Sequence, residues 1–182
     1  HMATAAASVS PATRSGAVFG RTRNDIYTPL RALDTQVRPL RPLPAVCSPA
    51  MNAPVCSLRA AVQEANANPG LDTIILPKGL YRLGLAGRDE DQAAQGDLDI
   101  TDHLILRGEG ASQTVLDGNG IDHVFQIIGD GKLWVGITRL AIQNGLGGIN
   151  ISQAELYVTD SEISGNQGYG LWAYQSSVHL DQ

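Results

Sequence analysis

Short runs of apolar and β-branched residues, each ended by Gly, Pro, Asp or Asn, dominate the chain after Gly70. Runs of this kind between turn residues predict short β-strands. A different pattern precedes them, because Leu58, Ala61, Val62 and Ala65 recur at spacings of three and four and predict one amphipathic helix over residues 57–67. The first five predicted strands span residues 73–76, 80–83, 98–100, 104–106 and 114–116.

An internal repeat organises the later strands. Asn119, Asn144 and Asn166 are spaced by 25 and 22 residues, and three short strands accompany each repeat. This period is typical of stacked solenoids, in which neighbouring turns bury their inward residues together. The predicted strands are 124–128, 132–135, 140–142, 148–152, 155–159, 161–163, 170–174 and 177–180. The predicted inward residues are Val124, Phe125, Ile127, Ile137, Leu140, Ile142, Ile149, Ile151, Leu156, Val158, Ile163, Leu171 and Val178.

The sequence therefore predicts an all-β fold, a right-handed parallel β-helix with one N-terminal capping α-helix. Ser57 is the expected N-cap of that helix. We expect Asn119, Asn144 and Asn166 to form a structural ladder at a common corner. Asn tolerates left-handed backbone there, and its amide can bond to its copy in the next turn.

Three regions are predicted along the 182 residues. Residues 1–46 form an extended or disordered basic arm with a net charge of +4, and His1 and Met2 have the form of a cloning scar. Residues 47–70 hold the capping helix and a short loop between Cys47 and Cys56. There we favour a disulfide over two free thiols, which indicates an oxidising compartment. Residues 71–182 form the β-helix, and because the chain ends within a turn we expect either a truncation or a second chain covering that end.

Composition excludes two classes of protein. The net charge is −5, and residues 47–182 carry −9, so nucleic-acid binding is not expected. No run of about 18 apolar residues occurs, so no membrane span is predicted.

Several segments resemble the CSLREA domain of exported bacterial proteins, which opens a parallel β-helix of the pectate-lyase-like superfamily. The segments are residues 56–59 (CSLR), 65–70 (ANANPG), 72–79 (DTIILPKG), 96–100 (GDLDI), 106–111 (LRGEGA) and 115–118 (VLDG). Ala60 stands where that motif has Glu, which removes a capping-box carboxylate. The resemblance implies a secreted, periplasmic or cell-surface protein, and it implies no particular activity.

Carboxylates are densest between residues 89 and 102, and they suggest a Ca²⁺ site as an alternative to a solvated loop. The candidate ligands are Asp89, Glu90, Asp91, Asp97 and Asp99. A polysaccharide lyase would need a base, for which Arg107, Lys132 and Arg139 are available. A glycoside hydrolase would need paired carboxylates, for which Asp117, Asp122, Asp160 and Glu162 are available. His103, His123 and His179 are scattered and match no catalytic or metal-ligand spacing, so no catalytic set is predicted.

Trp134, Tyr157, Trp172 and Tyr174 lie in strands of successive turns and could line one face that stacks on sugar rings. Strand alternation turns Trp172 and Tyr174 outward if Leu171 is inside. The first hypothesis is therefore a non-catalytic, exported domain that presents a surface for binding or assembly, with Trp134, Trp172 and Tyr174 as ligand-binding residues. The alternatives are a polysaccharide lyase or hydrolase, and a structural module that self-assembles through its C-terminal end.

Overall fold

The structure, a computed structural model, describes residues 57–88 and 90–181. The predicted arm at 1–46, both cysteines of the predicted Cys47–Cys56 disulfide and Asp89 lie outside these residues. The described residues contain one helix, α1 (Leu58–Ala67), and eleven strands. The strands are β1 (Asp72–Ile75), β2 (Gly79–Arg82), β3 (Leu98–Ile100), β4 (Leu104–Arg107), β5 (Thr114–Asp117), β6 (Phe125–Thr138), β7 (Ala141–Gln143), β8 (Ile149–Thr159), β9 (Glu162–Ser164), β10 (Leu171–Tyr174) and β11 (Ser177–Asp181).

Every strand pairs in parallel with a strand of the neighbouring turn, and about four turns stack into a β-solenoid. The predicted parallel solenoid is confirmed, with one difference of detail. The predicted strands at 124–128 and 132–135 are joined in β6, and those at 148–152 and 155–159 are joined in β8.

Each turn has three faces. Face 1 consists of β3, β10 and the first segments of β6 and β8, residues 125–128 and 149–152. Face 2 consists of β1, β4, β11 and the second segments of β6 and β8, residues 133–138 and 154–159. Face 3 is the four-stranded sheet of β2, β5, β7 and β9.

Residues with left-handed backbone mark the three corners between these faces, with φ between 48° and 63°. Such a residue turns the chain from one face to the next without a long loop, and this conformation is uncommon outside Gly and Asn. The corner residues are Gln153 and Gln175 between faces 1 and 2, Arg139 and Asp160 between faces 2 and 3, and Asn119, Asn144 and Gly165 between faces 3 and 1.

The asparagines lie at one corner, but their amides do not stack on one another. The strand pairing places Asn119 and Asn166 in one column and Asn144 one position earlier. The amide of Asn119 donates to the carbonyl of Leu83 at 3.2 Å, and that of Asn166 donates to the carbonyl of Ile142 at 3.3 Å. The ladder prediction is corrected on this point: these amides bind the main chain of the preceding turn, because the offset separates neighbouring asparagines.

Aliphatic stacks fill the interior. Leu98, Phe125 and Ile149 follow one another on face 1, and each is at most 1% exposed. Full burial of a side chain of this size contributes about 1.5–3 kcal/mol relative to exposure. Ten of the thirteen predicted inward residues are buried, and the other three, Ile163, Leu171 and Val178, pack partly against the same core.

Helix α1 covers the first turn of the solenoid. The hydroxyl of Ser57 accepts the Ala60 N–H at 3.1 Å, which confirms the predicted N-cap. The four predicted face residues are buried, and the helix contacts β3 and β1. Residues 84–97 then run across the outer side of face 1 at β3, where Ala93 is fully buried.

Candidate functional site

Trp172 and Tyr174 form an exposed aromatic pair on face 1. They alternate along β10 with Leu171, which packs against the core, so both rings point outward as the alternation predicts. Their exposed fractions are 46% and 53%. The two rings are nearly parallel, at 8°, with centroids 6.1 Å apart. The pair therefore presents two flat apolar surfaces in one fixed orientation.

Polar side chains surround this pair. Asn150 lies beside Trp172, and Ser152 lies beside Tyr174, on the adjacent strand β8. At the nearby corner the Gln153 amide donates to the Gln175 amide oxygen at 3.2 Å. An aromatic platform bordered by amides and hydroxyls can stack on a ring and bind its hydroxyl groups at the same time.

A second aromatic cluster lies on face 2. Trp134 and Tyr157 have centroids 5.6 Å apart, and Tyr157 stacks on His179 at 4.4 Å and 12°. Gly136 leaves room for the indole, since a Cβ there would lie 3.1 Å from it. The Glu155 carboxylate accepts the Tyr157 hydroxyl at 2.7 Å, and this hydrogen bond raises the pKa of Tyr157.

The expectation that all four aromatic residues line one face is wrong. Trp134 lies in register with Glu155, whereas Trp172 lies in register with Asn150, five residues earlier on β8. The corner at Gln153 lies between these positions and turns the strand from face 1 to face 2. Alternation along a strand indicates which side chains point inward and which point outward, but it does not reveal a bend within the strand.

A cluster of titratable groups lies near the corner between faces 3 and 1. Asp97 directly precedes β3, while Asp122 and His123 lie in the loop before β6. The hydrogen bond from Leu98 N–H to Val124 carbonyl, 3.1 Å long, aligns the two segments. Asp97, Asp122 and His123 each offer a ligand atom, and these atoms lie within 4.8 Å of one another.

Asp97 is the least hydrated member of this cluster, with only 4% of the residue exposed. Burial and, to a smaller extent, the neighbouring charges of Asp99 and Asp122 raise the pKa of Asp97 to about 7. A hydrogen bond from its own backbone N–H and the charge of Arg59 oppose this rise. Near neutral pH this carboxyl group therefore exchanges between its protonated and charged forms.

Asp99 is fully buried beneath the loop of residues 84–97. Its Oδ2 accepts the Ala93 N–H at 2.6 Å, and within the described residues its Oδ1 has no hydrogen-bond partner. Burial raises the pKa of Asp99 to about 6. The Ala93 hydrogen bond opposes this rise, and the charges of Glu90 and Asp91 reinforce it.

The structure does not bring the predicted Ca²⁺ ligands together. Asp89 lies outside the described residues. Glu90 accepts the backbone N–H groups of Gln92 and Gln95 at 3.0 and 2.7 Å, so its carboxylate holds the loop. Asp91 is exposed and accepts the Gln126 amide at 3.0 Å. Of the five predicted ligands, Asp97 alone joins a convergent group of three or more candidate ligands in the described part of the chain.

The residues considered for polysaccharide cleavage do not form one catalytic group. Arg107 and Arg139 line an open cleft of about 440 Å³, where Arg139 donates to the Glu109 carbonyl at 2.9 Å. Lys132 is exposed near the corner between faces 1 and 2. Asp117 is buried and forms an ion pair with Arg82 at 3.0 Å, which makes it structural. Asp160 is exposed at the corner between faces 2 and 3, and Glu162 is exposed at the start of β9.

His123 and Asp122 are the site residues that sequence reasoning did not place, since His123 matched no ligand spacing and Asp122 was considered only for hydrolysis. Placing them requires the register of β3 on β6, in which Leu98 pairs with Phe125 and Asp97 thereby lies beside the residues before β6.

Within residues 57–88 and 90–181, the only helix is too short to cross a membrane. Comparisons with protein-family models, curated proteins and solved structures found no match to this chain. The resemblance to the CSLREA domain therefore rests on the motif residues alone.

Proposed function

We propose that this chain is a non-catalytic, exported β-solenoid domain that binds polysaccharide through the Trp172–Tyr174 pair on face 1. The observation that carries the proposal is the parallel arrangement of two exposed rings, 8° and 6.1 Å apart, in a chain that is otherwise poor in aromatic residues. Large exposed aromatic surface costs solubility and marks interaction sites. Export is supported by two features of the sequence, the CSLREA resemblance and the predicted Cys47–Cys56 disulfide.

Charge indicates which polysaccharides fit. Between Leu140 and Asp181 the chain carries four carboxylates, Glu155, Asp160, Glu162 and Asp181, and it contains no Lys or Arg. These residues supply the last two turns, including β10 and its neighbour β8. A polymer of uronates or sulfated sugars would therefore find no Lys or Arg on β8 or β10 to compensate its charge. The surface therefore suits uncharged sugars, which bind by stacking and by hydrogen bonds to Asn150 and Ser152.

The test is affinity electrophoresis of the chain in gels that contain a neutral glucan, xylan or mannan, or an anionic polymer such as polygalacturonate. We expect retardation by at least one neutral polymer and none by the anionic one. Replacing a central aromatic contact weakens binding by about tenfold or more, so Trp172→Ala and Tyr174→Ala should each remove the retardation.

Tyr169→Ala is the matched control, because Tyr169 is 74% exposed but lies in the loop before β10. Retardation that persists in Trp172→Ala, or that Tyr169→Ala removes equally, would contradict the proposal. The two alternatives have different signatures in the same samples. Release of reducing or unsaturated sugar ends would indicate a hydrolase or lyase, and a mass above one chain would indicate self-assembly.

A further inference from the structure

We propose that Asp97, Asp122 and His123 bind one divalent transition-metal ion of the zinc type. This site differs from the predicted Ca²⁺ cluster in its ligands and in its ion. It is also independent of the carbohydrate surface, because β6 and β8 lie between β3 and β10 in the sheet.

The first support is geometric. The three ligand atoms lie within 4.8 Å of one another, and Zn²⁺ binds nitrogen and oxygen ligands at about 2.0–2.2 Å, so small side-chain adjustments bring all three onto one ion. The backbone already restricts two of them. The His123 N–H donates to Asp122 Oδ1 at 2.9 Å, and the His123 Nδ1 lies 3.3 Å from the same oxygen.

The second support is the state of Asp97 itself. The residue is only 4% exposed, and the carboxylate of Asp122 lies close to its own. The backbone N–H of Asp97 and the nearby charge of Arg59 compensate this carboxylate in part. A carboxylate removed from water beside a second carboxylate is costly, and a cation that Asp97 shares with Asp122 and His123 would compensate it.

The ligand types select the class of ion. Ca²⁺ and Mg²⁺ prefer oxygen ligands only, whereas imidazole suits Zn²⁺ and its transition-metal neighbours. Three protein ligands leave a fourth position of a tetrahedral zinc site to water. We therefore expect Zn²⁺ or Co²⁺ to bind and Ca²⁺ not to compete.

The experiment is calorimetric titration of ZnCl₂ into the full chain after removal of metals with a chelator, with CoCl₂ absorption spectra as a second readout. One equivalent should bind, and Co²⁺ should give visible bands of a nitrogen- and oxygen-ligated centre. In His123→Ala and Asp122→Asn the affinity should fall by at least about tenfold, because even outer-shell changes cost that much at metal sites.

His179→Ala is the matched control, because His179 lies 3.2 Å from Glu155 and forms a second His–carboxylate pair among the described residues that could attract zinc. The His123 side chain is 37% exposed, so His123→Ala should fold, and circular dichroism verifies this. Zinc affinity that is unchanged in both site variants, affinity that falls only in His179→Ala, or equal binding of Ca²⁺ would each overturn the proposal.

Discussion

The guanidinium of Arg59 donates a 2.6 Å hydrogen bond to the backbone carbonyl of Asp97, which lies 38 residues later in the chain. The same group donates to the carbonyls of Gly96 at 2.6 Å and Ala93 at 3.1 Å. Arg59 is 0% exposed, although it lies on α1 beside the apolar residue Leu58. The helix is therefore attached to the solenoid by a buried cation that also fixes the backbone of the proposed metal ligand.

Arg59→Ala should lower the free energy of unfolding by about 3 kcal/mol or more, because hydrogen bonds from charged groups contribute about 1.5–3 kcal/mol each and three carbonyls would lose their donor. Arg59→Lys should recover only part of the lost free energy of unfolding, since an ammonium group cannot reproduce the planar set of guanidinium N–H donors. Urea unfolding measures the difference. Arg88→Ala, at an exposed position, should stay within about 0.5 kcal/mol of the parent chain. Equal effects of Arg59→Ala and Arg88→Ala would show that the buried contacts do not support the fold.

The solenoid could be predicted because its physical cause is local and repeated. Each turn needs inward aliphatic residues at strand spacing and a corner residue that tolerates left-handed backbone, and both recur around Asn119 and Asn144. The bends inside β6 and β8 could not be predicted. Gln153 and Gln175 have no unusual propensity for their left-handed conformation, and the neighbouring turns impose it.

Two neighbouring turns approach each other closely at Gly148, at the corner between faces 3 and 1. A Cβ at Gly148 would lie against the carbonyl oxygen of Gly170 in the next turn and 2.8 Å from the Ile163 side chain. Gly148→Ala should therefore destabilise the chain by about 1–3 kcal/mol, as overpacking of a close-packed interior does. Thermal unfolding followed by circular dichroism measures the effect.

Gly79→Ala is the corresponding control on face 3. A Cβ at Gly79 would meet the Tyr81 ring at 3.7 Å, an ordinary contact, so its stability should change by less than about 0.5 kcal/mol. If Gly148→Ala were as stable as Gly79→Ala, the two turns could not be packed as closely as the structure has them.

The candidate sites were harder to predict than the fold. The outward orientation of Trp172 could be predicted from strand alternation. The proximity of Asp97 to His123 could be predicted only by knowing the register of β3 on β6. That register is obscured in the sequence, because the long loop of residues 84–97 replaces the repeated asparagine corner in the first turn. Arg59 was missed for a related reason: its burial depends on that loop folding over it.

Stability without metal should depend on pH through Asp97 and Asp99. Their pKa values rise from the ordinary 3.8 to about 7 and about 6 in the folded chain, chiefly through burial. The folded state thus retains protons that the unfolded state has released, and stability from these groups is greatest below about pH 4 and is lost as the pH rises to 7. Asp97→Asn removes one such group, so in a chelator it should be more stable than the parent chain at pH 8.

The advantage of Asp97→Asn should grow between about pH 4 and pH 7 and then level off, because both states are fully ionised above the higher pKa. Urea unfolding of the two chains at steps from pH 4 to pH 8.5 gives this difference directly. A difference that stays constant over the whole range would show that Asp97 titrates alike in the folded and unfolded chains.

Asn166 joins two turns at the corner between faces 3 and 1. Its side-chain oxygen accepts the Gly145 N–H at 2.8 Å, and its amide nitrogen donates to the Ile142 carbonyl at 3.3 Å. Asn166→Ala removes both bonds and should cost about 1–3 kcal/mol, since each net hydrogen bond contributes about 0.5–1.5 kcal/mol. Asn166→Asp retains the acceptor and loses the donor, so its free energy of unfolding should lie between those of the parent chain and Asn166→Ala.

Asn150→Ala, on the open strand surface of face 1, is the control, and its free energy of unfolding in urea should stay near that of the parent chain. An Asn166→Ala chain as stable as Asn150→Ala would mean that the corner is held by strand pairing alone.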